Sequence, residues 1–239
     1  MIEEPPLLTI AREIERASPA EVERFAGVPL SFLCDAMGGE GALDWRIKPI
    51  SMNSLIGVAL TCQCGPADVL PLKTAVAMSQ PGDVIVVATG GYTGTAVVGD
   101  LLLGIAKNRG AAGFVTDGLV RDRIDVEALG LPVYAIGVTP NSPHSKGPGS
   151  IGLPIVCGGR TVASGDIIVG DRDGIVVIPR RDIAETLKNL ERVKAAEAEA
   201  SKRVRAGSKN VEDVTPLTPD DRIRWVGGVL PAKRGKGGG

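Results

Sequence analysis

The sequence has a single histidine among its 239 residues, and this shortage excludes several kinds of catalytic and metal centre. Metalloproteases with an HExxH motif, zinc sites with three histidines and iron centres with two histidines all need more than one. A serine or cysteine activated by histidine would have to use His144, which lies in a loop rich in proline, serine and glycine. Chemistry in this protein should therefore rest on carboxylates, arginine, lysine, backbone amides or an oxygen-ligated metal.

Aromatic residues, cysteine motifs and long apolar runs are also scarce. Phe, Trp and Tyr make up only 3% of the chain, which disfavours a base-stacking surface for nucleic acid. The four cysteines show no CxxC spacing, so reduced and buried thiols are expected. Apolar runs such as Val84–Ala88 are far shorter than the roughly 18 residues of a membrane span, and the acidic start MIEEPPLL does not resemble a secretory signal. We expect a cytoplasmic protein without a membrane or nucleic-acid partner.

Helical and strand patterns alternate along most of the chain. The residue patterns predict helices over Leu7–Ala17, from Ser18-Pro19 onward, and over Ser31–Met37, Gly94–Arg109 and Asp122–Leu129. They predict strands over Gly57–Cys64, Val84–Ala88, Gly113–Thr116 and Pro132–Val138, followed by hairpins between Ile155 and Pro179. Helices that alternate with buried strands and lead into hairpins predict a layered, mixed α/β domain.

A last long helix is predicted from about Arg181 to Ala206. Its first half has an apolar face, whereas its second half is alanine, glutamate, lysine and arginine, which favours packing against a neighbouring subunit. The segment from Lys188 onward carries 12 basic and 7 acidic residues, against 15 and 21 before it, and this asymmetry also favours contact between copies. We expect one domain over residues 1–207 and an extended or partly disordered tail over 208–239, where KRGKGGG is disordered.

Two glycine-containing turns are candidates for a binding site. The first, GGYTGTAVVGDLL over residues 90–102, is a loop that leads into a helix. The free N–H groups at such a helix start suit a carboxylate or a phosphate. Its spacing matches neither GxGxxG nor GxxxxGKS, so nucleotide binding is not indicated. Taken alone, these glycines are also explained by ordinary turn chemistry.

The second turn, TDGLVRD over residues 116–122, directly follows a predicted strand. Ligand sites of open α/β folds lie at such strand ends. The planar guanidinium of Arg121 suits a carboxylate or an enolate oxygen, and Asp122 suits a hard divalent cation. The alternative is a surface ion pair between the two residues, which the spacing alone supports equally well.

Taken together, GYTGTAVVGDLLLGIAKNRGAAGFVTDGLVRD, GPGSIGLPIVCGG and SGDIIVGDRDGIVVIP resemble the family of the regulator of ribonuclease activity A. The resemblance runs from about Ser31 to Gly207. It implies a layered β/β/α swivelling domain that assembles as trimers or hexamers, with sites between subunits. The family includes divalent-metal-dependent aldolases that act on 4-hydroxy-4-methyl-2-oxoglutarate and 4-carboxy-4-hydroxy-2-oxoadipate.

The resemblance also implies roles for particular residues. Asp122 would bind Mg²⁺ or Mn²⁺, and Arg121 would bind the keto and carboxylate oxygens of the pyruvyl group. The pair Gly99-Asp100 would precede two backbone amides, those of Leu101 and Leu102, that hold the pyruvate carboxylate. Asp100 would orient the water that carries the proton. Further candidates near the metal are Asp117 and, from a neighbouring subunit, Glu197 or Glu199. The aldolases carry an amide side chain in the segment that is Cys64–Val69 here, and this chain has no asparagine there.

The function expected from this resemblance is a metal-dependent lyase that cleaves 2-oxo-4-hydroxy acids to pyruvate through an enolate, with oxaloacetate decarboxylation as a possible second activity. A Schiff-base aldolase would need a desolvated lysine, and neither Lys73 nor Lys107 lies in an evident apolar pocket. Two alternatives stay open: a non-catalytic, ribonuclease-regulating binding protein, and methyl transfer in menaquinone synthesis, for which no methyl-donor loop is recognisable.

Overall fold

The computed structural model describes residues 6–52 and 54–227 and has a mixed α/β architecture. The helices are α1 (Pro19–Glu23), α2 (Leu30–Ala36), α3 (Leu70–Met78), α4 (Asp100–Asn108), α5 (Arg123–Leu129) and α6 (Ile183–Arg205), with short 3₁₀ turns at Arg180–Asp182, Val211–Asp213 and Asp220–Arg222. The strands are β1 (Leu8–Ile10), β2 (Lys48–Ser51), β3 (Leu55–Gln63), β4 (Asp83–Ala88), β5 (Ala96–Val98), β6 (Gly113–Thr116), β7 (Leu119–Val120), β8 (Val133–Ala135), β9 (Gly137–Val138), β10 (Gly149–Ile151), β11 (Ile155–Cys157), β12 (Arg160–Val162), β13 (Ile167–Gly170) and β14 (Ile175–Ile178).

The centre of the largest sheet consists of the parallel strands β3, β4, β6 and β8. Antiparallel strands extend it on both sides, with β2 next to β8 and with β10 and β13 next to β3. The run Asp83–Ala88 is buried along its whole length. A continuous apolar run is typical of a parallel strand that is covered on both faces, and this explains why β4 shows no polar alternation.

Helices α3, α4 and α5 cover one face of this sheet. Leu72, Leu103 and Val126, one from each helix, belong to the same buried cluster as Ile85 and Phe114 of the sheet. The hairpins β11–β12 and β13–β14 contribute to the cluster on the opposite face. The predicted layered α/β class is therefore confirmed, with a helical layer on one face of the sheet and the β11–β12 hairpin on the other, while β13–β14 continues the sheet beyond β3.

The β13–β14 hairpin is buried on both faces because its side chains alternate between two clusters. Ile168 and Val177 belong to the buried cluster that also contains Val86 of β4. Ile167 and Val176 instead pack with α2 and with the first half of α6, where Leu190 is buried. The amphipathic first half predicted for the last helix is thus a core-forming segment.

Two predicted helices are wrong in part or in full. Residues 7–17 form no helix: Leu8–Ile10 is a strand that pairs in parallel with Gly149–Ile151, and the backbone after it is irregular. The predicted helix over 94–109 begins only at Asp100, because Ala96–Val98 is a strand. In both cases pairing with a distant segment overrides a local helical pattern.

The other predictions are largely confirmed. Ser18 caps α1 through a capping box with Glu21. All four cysteines are free thiols, and Cys62, Cys64 and Cys157 are buried as predicted, whereas Cys34 is only partly buried. The single strand predicted over 132–138 is interrupted, because β8 joins the large sheet and β9 joins a small one.

The chain divides into two compact units within α6, between Val193 and Lys194. The described part of the second unit holds the end of α6 and two 3₁₀ turns. The boundary predicted after Gly207 and the extension of α6 to a neighbouring subunit remain predictions, and the KRGKGGG segment lies outside the described residues. In the described ranges, no helix is both long enough and apolar enough to cross a bilayer.

Candidate functional site

A small parallel sheet, ordered β5–β7–β9, brings the two glycine-containing turns together. Val98 is paired with Val120, and the N–H of Arg121 donates to the carbonyl of Val98 at 3.0 Å. Because the strands are parallel, the residues that follow them leave the sheet at the same end. Gly99 and Asp100 therefore lie beside Arg121 and Asp122.

Gly99 lies against both members of the Arg121–Asp122 pair. A Cβ atom at Gly99 would collide with the Asp122 carboxylate and with the Arg121 side chain. The backbone of Gly99 is extended, with φ of −130°, so close approach explains the glycine better than chain conformation does. The missing side chain leaves room for a carboxylate and a guanidinium at the start of α4.

Asp122 has an unusual backbone conformation. It adopts the left-handed region, with φ of 59° and ψ of 46°, which costs a non-glycine residue about 1 kcal/mol. Its carbonyl accepts the N–H of Val126 at 2.9 Å and so begins α5, but its carboxylate makes no capping hydrogen bond. Strained backbone of this kind is concentrated at functional sites. The carboxylate instead lies 3.0 Å from Nε of Arg121.

Arg121 also donates from Nη1 to the hydroxyl of Ser142. Its side chain is 34% exposed, so one part of the guanidinium is held by Asp122 and Ser142 while another part reaches solvent. A planar donor held in this way is suited to a bidentate oxygen ligand.

The start of α4 supplies unpaired backbone donors beside this arginine. No side chain caps the helix, and the first intrahelical hydrogen bond runs from Leu103 to Gly99. The N–H groups of Asp100, Leu101 and Leu102 therefore lack intrahelical partners and carry the positive end of the helix dipole. These residues and Arg121 line one pocket of about 230 Å³. A larger cavity of about 690 Å³, near Met37 and Asn189, contains none of the predicted site residues.

One wall of the pocket is the loop over residues 141–147, which the buried Asp68 holds in place. The Asp68 carboxylate accepts the N–H of Lys146 at 3.0 Å and of Gly147 at 2.6 Å, and it lies 3.0 Å from Nδ1 of His144. It also accepts the N–H of Leu70 at the start of α3, at 2.7 Å. Burial raises the pKa of Asp68, but these N–H groups and the charge of His144 outweigh burial and leave the pKa below its usual value.

Backbone hydrogen bonds also fix the 141–147 loop. The carbonyl of His144 accepts the N–H of Val69, and the N–H of His144 donates to Ala67. At the other end, the carbonyl of Asn141 accepts the N–H of Ala96 at 3.0 Å. The lone histidine is therefore the partner of a buried aspartate that shapes the pocket wall.

Asp117 is buried and does not line the pocket. Its carboxylate accepts the backbone N–H of Thr89 at 2.6 Å and the Thr89 hydroxyl at 3.0 Å, which ties the end of β6 to the end of β4. Burial, reinforced by the Asp117 charge, raises the pKa of the Cys157 thiol. These contacts give Asp117 a structural role beneath the site.

Glu197 and Glu199 lie on the part of α6 that belongs to the second compact unit. Both are exposed, and Glu199 accepts a hydrogen bond from Arg203, four residues further along the helix, at 3.2 Å. Their role in a neighbouring subunit's site remains a prediction.

The donors for a metal ion at this site are few. The described ranges contain no group of three or more His, Cys, Asp or Glu side chains arranged to hold an ion. Mg²⁺ does not need such a cage, because it commonly binds one or two carboxylates and completes its shell with water and substrate oxygens. The Asp122 carboxylate, in the space left by Gly99 and next to Asp100, fits that mode of binding.

Asp68, Lys73 and Ser142 belong to the pocket or its wall but were not among the predicted site residues, and Lys73 had been considered only as a Schiff-base lysine. Asp68 carries one recognisable signal, since an aspartate shortly before a helix is a typical cap. Lys73 and Ser142 carry none, because only the tertiary fold brings α3 and the 141–147 loop to the start of α4.

Comparison with known proteins identifies the family. The model of the RraA-like family, described as Aldolase/RraA, matches residues 31–177. The chain belongs to the RraA-like family. A relative from Halalkalibacterium halodurans named "Putative 4-hydroxy-4-methyl-2-oxoglutarate aldolase" is 38% identical over 198 residues, which cover 81% of this chain and 93% of that protein.

Solved structures agree with this RraA-like assignment. An uncharacterized protein from Pseudomonas syringae pv. tomato superposes with a TM-score of 0.71 at 25% identity, over 81% of this chain and 96% of that one. Streptomyces coelicolor RraAS2, described as an unusual member of the RNase ES inhibitor RraA protein family, gives 0.69 at 28% identity, over 80% and 100% of the chains. The matched family region contains both glycine-containing turns and the 141–147 loop.

The Asp68 contacts predict an acid-sensitive pocket wall. Asp68→Asn leaves N–H donors of the loop without a full set of acceptors, so hydrogen exchange at Lys146 and Gly147 should accelerate. Folding lowers the pKa of Asp68, so the ionised carboxylate stabilises the folded state. This stabilisation is complete at a pH above the unfolded-state pKa of about 3.9, and it is lost as the pH falls through the lower pKa of the folded state. Wild-type protection of these amides should therefore fall below about pH 4.

Asp166→Asn is the matched control for this experiment. Asp166 is also buried and accepts two backbone N–H groups, from Ala163 and Arg180, but it does not contact the 141–147 loop. Both variants should lose stability, and only Asp68→Asn should increase exchange in the loop. Equal exchange in the two variants would contradict the assignment of Asp68 as the residue that holds this wall.

Proposed function

We propose that this protein is a divalent-metal-dependent aldolase that cleaves 2-oxo-4-hydroxy acids, such as 4-hydroxy-4-methyl-2-oxoglutarate, to pyruvate. Oxaloacetate decarboxylation is proposed as a second activity, since it passes through the same pyruvate enolate. The observation that supports this most is the close approach of the Arg121–Asp122 pair to Gly99, beside the unpaired amides at the start of α4.

The amides of Leu101 and Leu102 would bind the carboxylate of the pyruvyl group at the positive end of α4. Arg121 would donate to the keto oxygen and to the same carboxylate. When the C3–C4 bond of the substrate breaks, its electron pair moves into the enolate, and negative charge grows on that keto oxygen. Donors that are already held in place stabilise this charge without reorganising.

Asp122 would hold the Mg²⁺ or Mn²⁺ ion, with Asp100 beside it. When bound, such an ion acts as a Lewis acid on the keto oxygen. Asp100 is partly exposed at the first position of α4, where its carboxylate would take the proton of the C4 hydroxyl through water and deliver one to C3 of the enolate. These assignments need no histidine.

The Schiff-base alternative finds no support in the surroundings of the two candidate lysines. Lys107 donates to the carbonyl of Leu129, and Nζ of Lys73 lies 3.2 Å from the Ser145 hydroxyl. Both side chains are exposed, whereas a nucleophilic lysine is activated by desolvation or by a neighbouring cation. The pocket, at about 230 Å³, is smaller than the roughly 300–1,000 Å³ of pockets for drug-sized ligands, which favours a small acid over a nucleotide-sized methyl donor.

A ribonuclease-regulating protein is the second candidate, and the likeness to RraAS2 favours it. The left-handed backbone of Asp122 supports the enzyme over the regulator. A strained carboxylate held against Gly99, beside the pocket, is of use to a metal site and has no evident use on a binding surface.

The metal proposal predicts that a chelator abolishes pyruvate formation and that Mg²⁺ or Mn²⁺ restores it. Asp122→Asn should fold like the wild type, since asparagine tolerates the left-handed conformation, but it should lose activity and metal stimulation. Asp125→Asn, an exposed aspartate in the first turn of α5, is the control and should keep both. Full turnover in chelator, or an active Asp122→Asn variant, would refute the metal role.

We also propose that the protein is a homotrimer or a homohexamer. Leu101 and Ile105 on α4 are 77% and 51% exposed, and Ile124 on α5 is 81% exposed, so apolar surface adjoins the pocket. Exposed patches of this kind mark interaction sites, and a neighbouring subunit would cover them and bring Glu197 or Glu199 to the metal.

Light scattering should therefore give the mass of a trimer or of two trimers. Ile105→Asp combined with Ile124→Asp should weaken assembly, and activity should fall with it, because the site would be incomplete in a single chain. A fully active wild-type monomer would contradict the proposed assembly.

A further inference from the structure

Lys73 gives the candidate pocket a second cationic group. It lies in the first turn of α3, and it lines the same pocket as Arg121 and the start of α4. Among the described residues, its recorded side-chain contact is the hydroxyl of Ser145, 3.2 Å from Nζ. An ammonium group has three donors, and a neutral hydroxyl does not balance its charge.

The same loop holds both cations of the pocket. Arg121 donates to Ser142 and Lys73 donates to Ser145, and only two residues separate these serines. The Cα atoms of these two serines lie at most about 10 Å apart, so one short segment of the loop contacts both cationic groups. Asp68 fixes the loop that carries both serines.

Among the described residues, positive charge predominates in the lining of the pocket. Lys73, Arg121 and Asp100 are the ionisable side chains among the described residues that line it. In the proposed aldolase, Arg121 and the α4 amides are occupied by the pyruvyl carboxylate and keto oxygen. Lys73, whose side chain is exposed and therefore solvated, then remains available to a second anionic group of the substrate.

We propose that Lys73 binds the second acidic group of the substrate, on the carbon chain beyond the 2-oxo acid, and so selects dicarboxylates over monocarboxylates. This proposal rests on the proposed function, because it assigns the pyruvyl end to Arg121 and α4. Lys73 is a specificity-determining residue in this account and takes no part in bond cleavage. The alternative is that Lys73 only ties α3 to the 141–147 loop through Ser145.

The test compares two unreactive ligands of similar size. 2-Oxoglutarate ends in a carboxylate, whereas 2-oxopentanoate ends in a methyl group. Calorimetric titration in the presence of Mg²⁺ should show that the wild type prefers 2-oxoglutarate by about 10- to 100-fold, the range expected for one charge-assisted contact. Lys73→Met should abolish this preference without changing the affinity for 2-oxopentanoate. Lys73→Arg should retain most of it.

Lys107→Met is the matched control, since it removes the same charge from a lysine that does not line the pocket. It should keep the full preference. Exchange of the pyruvate methyl protons with deuterium, which involves no second carboxylate, should proceed at the wild-type rate in Lys73→Met. The same variant should lose about 10- to 100-fold in kcat/KM for 4-hydroxy-4-methyl-2-oxoglutarate.

The possible failures are distinguishable. A wild type that binds both ligands equally, or a Lys73→Met variant that keeps the preference, would overturn the role of Lys73 and leave the aldolase proposal standing. If Lys73→Met binds both ligands more weakly, Lys73 only ties α3 to the 141–147 loop, and its role in specificity is overturned as well. A folded wild type that binds neither ligand and exchanges no pyruvate protons would refute the proposed function and, with it, this proposal.

Discussion

The pairing of β5 with β7 is the constraint on which the candidate site depends. One parallel register, with the N–H of Arg121 on the carbonyl of Val98, sets Gly99 and Asp100 next to Arg121 and Asp122. A shift of one residue would turn the guanidinium away from the start of α4, because side chains alternate between the two faces of a strand. The small sheet thus places the start of α4, which follows β5, beside Arg121 and Asp122, which follow β7. Neither segment forms the site alone.

Several locally unfavourable features meet at this point of the fold. Asp122 is left-handed, Gly99 gives up a side chain, the first turn of α4 lacks a side-chain cap, and Asp68 is a buried carboxylate. Each of these features lowers the stability of the fold or forgoes a stabilising contact. The packed core of the first unit compensates for this loss. Their concentration around one small pocket is the physical basis for placing a binding and catalytic function there.

The sequence identified the two turns that the structure brings together, while the chemistry assigned to them remains a prediction. The TDGLVRD turn and the GDLL segment indicated an anion and metal site from residue types alone, and the family resemblance assigned Arg121 and Asp122. The strand Ala96–Val98 was read as helix because it is short and its partner, Leu119–Val120, is distant in the chain. Asp68 was not predicted as a site residue, and Lys73 was considered only as a Schiff-base lysine, because only tertiary structure brings α3 and the 141–147 loop to α4. Leu8–Ile10 likewise follows its pairing with Gly149–Ile151.

The central claim, that Arg121 binds the enolate, is tested most directly by Arg121→Lys with oxalate, a planar dianion that resembles pyruvate enolate, as the ligand. Lysine keeps the charge but loses the planar, bidentate donor geometry. We predict a fall of about 100- to 1,000-fold in kcat and a comparable loss of oxalate affinity. The unfolding temperature should barely change, because exposed ion pairs contribute about 0–1 kcal/mol. Equal oxalate affinity and equal turnover in the two proteins would show that Arg121 lies outside the site.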